Sequence, residues 1–143
     1  MNILKKIRWI VFLFSISLFG VPFTSNSNGT VTDSATALVW QTGTEGILTW
    51  SNAITYCEGL TLGGRSDWRL PNVNELASIL DYTKSTSPSI NTTAFPGTQS
   101  NYYWSSSTYA QDTSTAWLIY FGNGDMVYGN KSNNNYVRCV TGP

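Results

Sequence analysis

The stretch Asp67–Leu80, DWRLPNVNELASIL, is the most informative one for the fold of this chain, because it joins a strand to a helix with a clearly marked start. Asn72 is a favourable N-cap residue, and Glu75, three positions on, can bond back to the cap backbone as in a capping box. Pro71 brings the chain into the helix from an extended conformation. The stretch therefore predicts a strand at 68–70 followed directly by a helix.

Two interpretations compete for the polar side chains of this stretch. An arginine and a carboxylate beside a tryptophan resemble a polar pocket, so Trp68, Arg69 and Glu75 could form a binding site. In the structural interpretation Glu75 completes the helix cap, Arg69 pairs with a carboxylate or carbonyls, and Trp68 is core. We predict the structural role, and we extend it to the set Trp68, Arg69, Asn72, Glu75, Trp104 and Arg138.

The N-terminus predicts export. A short basic segment precedes an apolar run at 9–19, which is typical of a secretory signal peptide and short for a membrane span. We assign residues 1–25 to a signal peptide, 26–29 to a polar tether and 30–143 to the domain. An uncleaved N-terminal anchor is the alternative. In either case we expect an exported protein that is periplasmic, on the cell surface or secreted.

The charge of the domain argues against nucleic acid as a partner. Residues 1–29 hold three of the eight Lys and Arg side chains and none of the eight Asp and Glu, so the remainder has a net charge of −3. Nucleic-acid binding depends on basic side chains that neutralise phosphates. We therefore expect no nucleic-acid partner, and contact with a membrane only through an uncleaved N-terminal segment.

Cys57 and Cys139 are the only cysteines of the chain. In an oxidising compartment a single bridge from an early helix to the C-terminal segment is the natural interpretation. A catalytic or metal-binding thiol pair is the alternative, but the chain has no histidine to assist it. We predict a disulfide, and neither a cofactor nor a metal.

The first half of the domain predicts short strands and two helices. Residues 30–41 combine β-favouring side chains with turn formers and indicate a hairpin, and 43–46 indicate a loop. Thr49 is a candidate N-cap for a helix whose apolar side chains recur at helical spacing, on the face that includes Cys57. The second helix is that of the opening stretch.

The second half predicts a long loop and then a sheet. Residues 83–100 are rich in Ser, Thr, Asn and Pro, and we expect Ile90, Phe95 and Pro96 to hold this loop on the surface. Strands are predicted at 102–107, 116–121, 126–128 and 136–140, with a tight hairpin turn at 122–125. The fold class is α+β, with two helices packed on a small antiparallel sheet and long surface loops.

The C-terminal strands also carry the candidate binding surface. Their tyrosines alternate with or flank apolar residues, so several should point away from the core. Rigid aromatic rings and adaptable amides are the chemistry of a binding face. The alternative is that such residues are simply what the surface of an exported β-rich protein contains. The candidate residues are Asn101, Tyr102, Tyr109, Tyr120, Asn123, Asp125, Tyr128, Asn130, Lys131, Asn133, Asn134 and Asn135.

A serine nucleophile in the run YYWSSST is a weaker interpretation. Such a serine needs a base, and without histidine only Lys84 and Lys131, both in polar loops, remain in the domain. The serines fit hydrogen bonds to neighbouring strands or backbone better. We therefore predict no catalytic residue.

Calcium binding by the oxygen-rich segments is the other alternative. Asn123, Asp125 and the amides of 130–135 are hard oxygen donors. Their spacing is not that of an EF-hand, however, and the sequence GNGD is explained as a hairpin turn. We predict no metal site.

Five motifs occur in one order along the domain: WSNAITYC, GGRSDWRLPNVNEL, YYWSSST, AWLIYFGNGD and YVRCV. Together they resemble the Lcl C-terminal-domain family of bacterial exported proteins over almost all of the chain from Thr30 onward. The resemblance implies an architecture related to C-type-lectin-like domains and formylglycine-generating enzymes. It also implies extracellular binding, since one member is an adhesin that recognises sulfated glycosaminoglycans as a trimer.

The charge of this domain differs from that expected of a protein that binds sulfated glycans. The domain is acidic, and it offers few cations to meet sulfates, two of which lie inside the structural motifs. These cations are Arg65, Arg69, Lys84, Lys131 and Arg138.

We therefore expect an exported binding module for adhesion or ligand recognition at the bacterial surface, with an extracellular glycan or protein as its ligand. A structural, self-associating surface that makes a homo-oligomer is one alternative. An enzyme of formylglycine-generating-like fold is another, but such enzymes rely on reactive cysteines.

Overall fold

The computed structural model describes residues 22–143. The predicted signal peptide or anchor falls mainly on residues 1–21 and lies outside the described part. Within 22–143, no helix has both the length and the hydropathy needed to cross a bilayer.

The described chain forms nine strands and two helices in an α+β arrangement. In chain order these elements are β1 (Phe23–Ser25), β2 (Thr30–Asp33), β3 (Val39–Gln41), β4 (Glu45–Leu48), α1 (Trp50–Glu58), α2 (Val73–Ser78), β5 (Tyr102–Thr108), β6 (Thr115–Tyr120), β7 (Asp125–Asn130), β8 (Asn135–Val137) and β9 (Val140–Thr141).

The strands form two sheets where the sequence predicted one small antiparallel sheet. The first has the order β1-β2-β3-β9 and the second the order β4-β8-β5-β6-β7. All pairings are antiparallel except that of β8 with β5, which is parallel, with Tyr103 opposite Tyr136. The predicted α+β class is confirmed, and the structure adds a second sheet, because the N-terminal hairpin pairs with the last strand rather than with β5–β7.

The five-stranded sheet lies between the two helices. One hydrophobic core joins Ala53 and Cys57 of α1 to Trp104 and Leu118 of the sheet. A second core, on the opposite face, joins α2 to side chains of the same strands, which include Tyr103 and Ile119. The sheet therefore buries apolar side chains on both faces, and alternation along its strands does not separate core from solvent.

The capping box predicted for α2 is present. The Asn72 side chain accepts from the Glu75 N–H at 2.9 Å, and the Glu75 carboxylate accepts from the Asn72 N–H at 2.8 Å. The preceding strand is reduced to one bridge, in which Arg69 and Val140 exchange two backbone hydrogen bonds of 2.9 Å. Trp68 is only 2% exposed, in agreement with a structural role.

Thr49 precedes α1 as predicted, but its side chain makes no capping hydrogen bond. The N–H of Trp50 instead donates to the carbonyl of Lys131 at 3.1 Å. A carbonyl group of a distant loop thus accepts the hydrogen bond of the first N–H of this helix. A local sequence signal cannot predict such a contact.

The long loop is held down much as predicted. Ile90 and Phe95 are fully buried, whereas Pro96 is exposed and anchors nothing. Arg138, also fully buried, lies over the Phe95 ring at 4.8 Å and donates to Thr98 Oγ1 at 2.9 Å. The loop is therefore fastened to the C-terminal segment by a buried arginine.

Three further boundaries differ from the sequence prediction. Residues 23–25 pair with β2 and 26–29 form the turn between them, so the folded part begins before residue 30. The segment predicted as loop at 43–46 continues into β4. The predicted last strand is divided between β8 and β9, with Arg138 and the bridged Cys139 between them.

Cys57 and Cys139 form the predicted disulfide, with their Cα atoms 5.5 Å apart. The bridge joins the buried face of α1 to the segment between β8 and β9. A closed disulfide is typical of proteins that fold in an oxidising, non-cytoplasmic compartment.

Candidate ligand-binding surface

The cross-strand register assigns each candidate side chain to one face of the five-stranded sheet, because residues directly opposite each other share a face. Tyr102 lies opposite Tyr120, and Leu118 lies opposite both Trp104 and Val127. These residues belong to the face covered by α1, which we call the α1 face.

The other face, covered by α2, carries a different set of aromatic residues. Ile119 lies opposite Met126, and Trp117 lies opposite Tyr128. Ile119 belongs to the core beneath α2 together with Tyr103, so we call this side the α2 face.

The structure therefore divides the Tyr/Asn surface that the sequence presents as one. Tyr102 and Tyr120 lie on the α1 face, whereas Tyr128 lies on the α2 face. Tyr109 stacks on Tyr128, with ring centroids 4.3 Å apart and an interplanar angle of 4°. A single ligand resting on one face cannot contact both tyrosine pairs through their rings.

The α1 face carries an aromatic pair at the edge of a cleft. The Tyr102 and Tyr120 rings lie 4.7 Å apart, and Tyr102 is 39% exposed. The cleft has a volume of about 300 Å³. It is lined by Tyr102, Leu118, Val127, Tyr128, Gly129, Asn133 and Asn135. The cleft is thus lined by aromatic residues, by aliphatic side chains at its base and by two asparagines.

Two glycines shape this region. A Cβ on Gly129 would approach Leu118 Cδ1 to 2.9 Å, so the bare backbone of β7 leaves the floor of the cleft open. A Cβ on Gly122 would collide with the Tyr120 ring and lie 2.6 Å from its hydroxyl oxygen. The position of the Tyr120 ring against Tyr102 therefore depends on a glycine two residues further along the chain.

The α2 face carries the second aromatic group. Trp117 makes edge contacts with Tyr109 at 5.2 Å and with Tyr128 at 5.9 Å. Tyr128 is 55% and Met126 is 45% exposed. This group is therefore a cluster of packed rings that is open to solvent along β7.

Several predicted candidates are committed to local turns. Asn123 donates to the Asp125 carboxylate at 2.7 Å and accepts the Asp125 N–H at 3.0 Å. Asn130 accepts from the N–H and hydroxyl of Ser132 at 2.9 and 2.7 Å. The Asn101 side chain accepts the N–H of Tyr102 at 2.8 Å. These side chains therefore serve local turns and do not line the cleft. Asn134 is exposed and lies in sequence between the two amides that line it.

Lys131 is occupied away from the cleft. Its Nζ donates to Thr108 Oγ1 at 2.8 Å and lies 3.9 Å from the centre of the Trp50 ring. The ammonium group therefore fastens the loop after β7 to α1 and β5. It is not among the residues that line the cleft.

The other cations also have structural partners. Arg65 lies 3.5 Å from Asp67, and Lys84 donates to the carbonyl of Ile90 at 3.0 Å. Arg69 forms a two-pronged pair with the Glu75 carboxylate. The pairing of Arg69 raises its pKa, and it holds the pKa of Glu75 below the usual value.

Arg138 is a buried cation that has no carboxylate partner within residues 22–143. Its guanidinium donates to the carbonyls of Gly43 and Thr42 at 3.2 and 3.4 Å and lies over the rings of Phe95 and Tyr103. Burial lowers the pKa of Arg138 to about 10, which still leaves it charged at neutral pH. The arginine is thus committed to the interior, as predicted for its motif.

Two further clefts flank Phe23 at the N-terminal strand. One, of about 480 Å³, lies between Phe23 and the segment after α2, and the other, of about 270 Å³, lies between Phe23 and Ala94. Both border Pro22 or Ser25, next to the part of the chain that the structure does not describe. We assign them no role.

No cluster of three or more His, Cys, Asp or Glu side chains that could hold a metal occurs within residues 22–143. Among the described candidates, only Asp125 contributes a carboxylate, and one of its oxygens accepts from Asn123. The arrangement offers hydrogen bonds and aromatic surface rather than a metal cage.

The sequence pattern indicated Tyr102 and the two cleft amides but not the floor of the cleft. The floor is formed by Leu118, Val127 and Gly129. Their sequence context is that of ordinary strand residues, and nothing in it indicates that they line a cavity. The β6–β7 hairpin could have shown from the sequence that Tyr120 and Tyr128 lie on opposite faces of the sheet. A turn with an even number of residues places odd-numbered residues of one strand opposite even-numbered residues of the other, so two even-numbered residues on the two strands point to different faces.

These features define a disulfide-closed α+β domain with aromatic and amide groups around a shallow cleft. A model of the Lcl C-terminal domain family matches residues 29–141, and the chain belongs to this family. No curated protein matches the chain.

Proposed function

We propose that this protein is an exported, lectin-like binding module that recognises an extracellular ligand in the cleft on the α1 face. One observation carries the proposal: exposed Tyr102, whose ring packs against half-buried Tyr120, lines a concavity that Asn133 and Asn135 also line. Small-molecule sites combine an apolar lining with a few polar groups that fix orientation, and this cleft has both.

An uncharged glycan suits this chemistry best. The C–H faces of a sugar ring pack on an aromatic ring, and its hydroxyls can donate to and accept from an amide. Tyr102 presents an aromatic surface, and Asn133 and Asn135 supply the amides. The expected recognition is therefore stacking plus hydrogen bonds, without an ion pair.

A sulfated glycan fits less well. Sulfate recognition uses Arg and Lys, which give charge-assisted hydrogen bonds. None of the five cations of residues 22–143 lines the cleft, and each already contacts other groups of the chain. A domain with a net charge of −3 also repels polyanions at long range.

The disulfide and the architecture support the exported, lectin-like assignment. A closed Cys57–Cys139 bridge agrees with an oxidising compartment outside the cytoplasm. Two helices, a five-stranded sheet and a long loop fastened by buried Ile90 and Phe95 resemble the C-type-lectin-like plan. We therefore propose that the protein acts in the periplasm, on the cell surface or in the medium, and that it serves adhesion.

The enzyme alternative receives less support. The two cysteines are joined to each other, so the chain has no free thiol for chemistry of the formylglycine-generating type. The cleft on the α1 face contains amides and aromatic rings but no carboxylate or amine that could act as acid or base. Binding is the function that these groups serve directly.

A glycan array that includes neutral and sulfated oligosaccharides, with extracellular-matrix proteins beside them, tests the proposal. We expect binding to a subset of neutral glycans, retained at high salt because no ion pair contributes. Binding confined to sulfated glycans and lost at high salt would contradict the ligand class. If the domain binds only proteins on the array, its ligand is a protein and not a glycan. If it binds nothing, the proposal that it is a binding module is wrong.

A further inference from the structure

The free edges of the two sheets differ in length and regularity. The edge strands are β1 and β9 in one sheet and β4 and β7 in the other. β1 has three residues, β9 has two and is bridged on its outer side by Arg69, and the register of the four-residue β4 shifts against β8. β7 has six residues in unbroken register with β6, which makes it the longest regular edge among residues 22–143.

The hydrogen-bond pattern shows which backbone groups of β7 point outward. Lys131 donates its N–H to the carbonyl of Ser114 at 2.9 Å, so this pair is hydrogen-bonded. Because hydrogen-bonded and non-bonded pairs alternate along an antiparallel ladder, 125, 127 and 129 face β6 and 126, 128 and 130 face away. Within the described chain, the N–H and C=O groups of Met126 and Tyr128 have no further hydrogen-bond partner.

The side chains of β7 do not protect this edge. Natural edge strands are usually blunted by lysine, proline, bulges or a covering segment. β7 has the sequence DMVYGN, with no lysine or proline and no bulge, and Met126 and Tyr128 are about half exposed. An edge of this kind is a pairing site for another strand.

We propose that β7 pairs with β7 of a second copy of this chain, antiparallel and centred on Tyr128. The outward-facing residues must form the hydrogen-bonded pairs, so Tyr128 lies opposite the partner's Tyr128 and Met126 opposite the partner's Asn130. The result is one continuous ten-stranded sheet across a two-fold axis.

Charge selects this register and favours a second copy over an unrelated strand. Asp125 begins β7 and Lys131 directly follows it, and each is the one charged residue at its end of the strand. Centring on Tyr128 brings Asp125 opposite the partner's Lys131 at both ends of the interface. The Lys131 Nζ uses one donor on Thr108, and an ammonium has three, so it can also donate to a carboxylate. A shift by two residues loses both charge pairs.

The same register fits the side chains on the α1 face. Val127 lies opposite the partner's Gly129, where the missing side chain leaves room for the branched one. The two-fold axis stands perpendicular to the sheet, so both clefts open on the same side. If the clefts bind the ligand proposed above, two linked sites raise the avidity for a repeating glycan, but the pairing itself does not depend on that function.

Sedimentation analysis of the purified full chain over a range of concentrations tests the pairing. We expect a monomer–dimer equilibrium. Asp125→Lys places like charges opposite each other twice and should raise the dimer Kd by at least about tenfold. The double variant Asp125→Lys with Lys131→Glu restores both pairs with exchanged signs and should return the Kd to within about threefold of the starting value. Glu58→Lys, an exposed change of the same charge on α1, is the matched control and should leave the Kd unchanged.

Tyr128→Pro removes an outward N–H without taking a bond from the β6–β7 ladder, and we expect it to abolish the dimer. If this variant does not fold, the charge variants, which alter exposed or half-exposed side chains, still decide. A monomer at every concentration would overturn the proposal. A dimer whose Kd is unaffected by Asp125→Lys would overturn it too, as would a double variant that fails to recover.

Discussion

The Arg69 guanidinium and the Glu75 carboxylate form a two-pronged ion pair, with Nη1 2.7 Å from Oε2 and Nη2 2.8 Å from Oε1. The same Oε2 accepts the backbone N–H of Asn72 at the start of α2. One carboxylate therefore fastens the helix to the bridge between Arg69 and Val140. The stretch 67–80, which most resembles a binding site in the sequence, therefore has a structural role: it links α2 to the C-terminal strand.

Replacement of this carboxylate should reduce stability. Glu75→Gln keeps a side chain that can still accept at the cap but loses the charge-assisted pair, so we expect the free energy of unfolding to fall by about 1–2 kcal/mol. Urea unfolding at neutral pH measures the loss. Glu58→Gln, an exposed carboxylate near the end of the other helix, is the control and should change stability by less than about 0.5 kcal/mol. An equal effect of both variants would contradict the structural role.

The contribution of Glu75 should depend on pH in one direction. The hydrogen bond and charge of Arg69 hold the pKa of Glu75 below its ordinary value of 4.5 in the folded state. A lowered folded-state pKa contributes stability above the unfolded value and loses it as the pH falls through the folded value. The stability difference between wild type and Glu75→Gln should stay constant from neutral pH to about 5 and shrink below that. A difference that grows in acid would show that the sign is wrong.

The disulfide should be a large contributor to stability. Cys57 and Cys139 are 82 residues apart, and in the chain-entropy model a loop of this size is worth about 4.5 kcal/mol. Reduction, or replacement of both cysteines by serine, should therefore lower the unfolding temperature steeply. Thermal unfolding followed by circular dichroism, with and without reductant, measures the effect. If both forms melt at the same temperature, the bridge is not a main support of this fold.

Gly122→Ala should displace the Tyr120 ring without unfolding the domain. The added Cβ collides with this ring, and the backbone at Gly122 does not have a positive φ, so the aromatic ring moves rather than the chain. The proton resonances of Tyr102 and Tyr120 should shift because the contact between their rings changes. Gly43→Ala, whose added Cβ would have nothing within 4 Å, is the matched control and should leave these resonances in place. Unchanged spectra for both variants would contradict the contact.

Local features of the fold could be predicted from the sequence. The Asn72–Glu75 capping box depends on residues three positions apart, and a two-cysteine chain offers only one intramolecular bridge. The hairpin of β6 and β7 is likewise marked by its own turn residues. Features that depend on distant segments could not be predicted, such as the Lys131 carbonyl at the start of α1 and the pairing of β3 with β9.

Only part of the candidate site could be predicted from the sequence. Tyrosines and amides in the C-terminal strands mark a surface, but helices cover both faces of the sheet, so alternation does not reveal which side of a strand meets solvent. The cleft depends on Val127 and Gly129 as much as on Tyr102, and only packing brings them together. Tyr128, which the sequence groups with Tyr120, lies on the opposite face.

Ligand binding on the α1 face is tested most sharply by a calorimetric titration of a neutral glycan selected on the array into wild type, Tyr102→Ala and Tyr109→Ala. Both changes remove a partly exposed tyrosine ring, but Tyr102 lines the cleft and Tyr109 lies on the other face. We expect Tyr102→Ala to weaken binding at least about tenfold and Tyr109→Ala to stay within about twofold of wild type. Wild-type affinity in Tyr102→Ala, or a loss confined to Tyr109→Ala, would contradict the assignment of ligand binding to the α1 face.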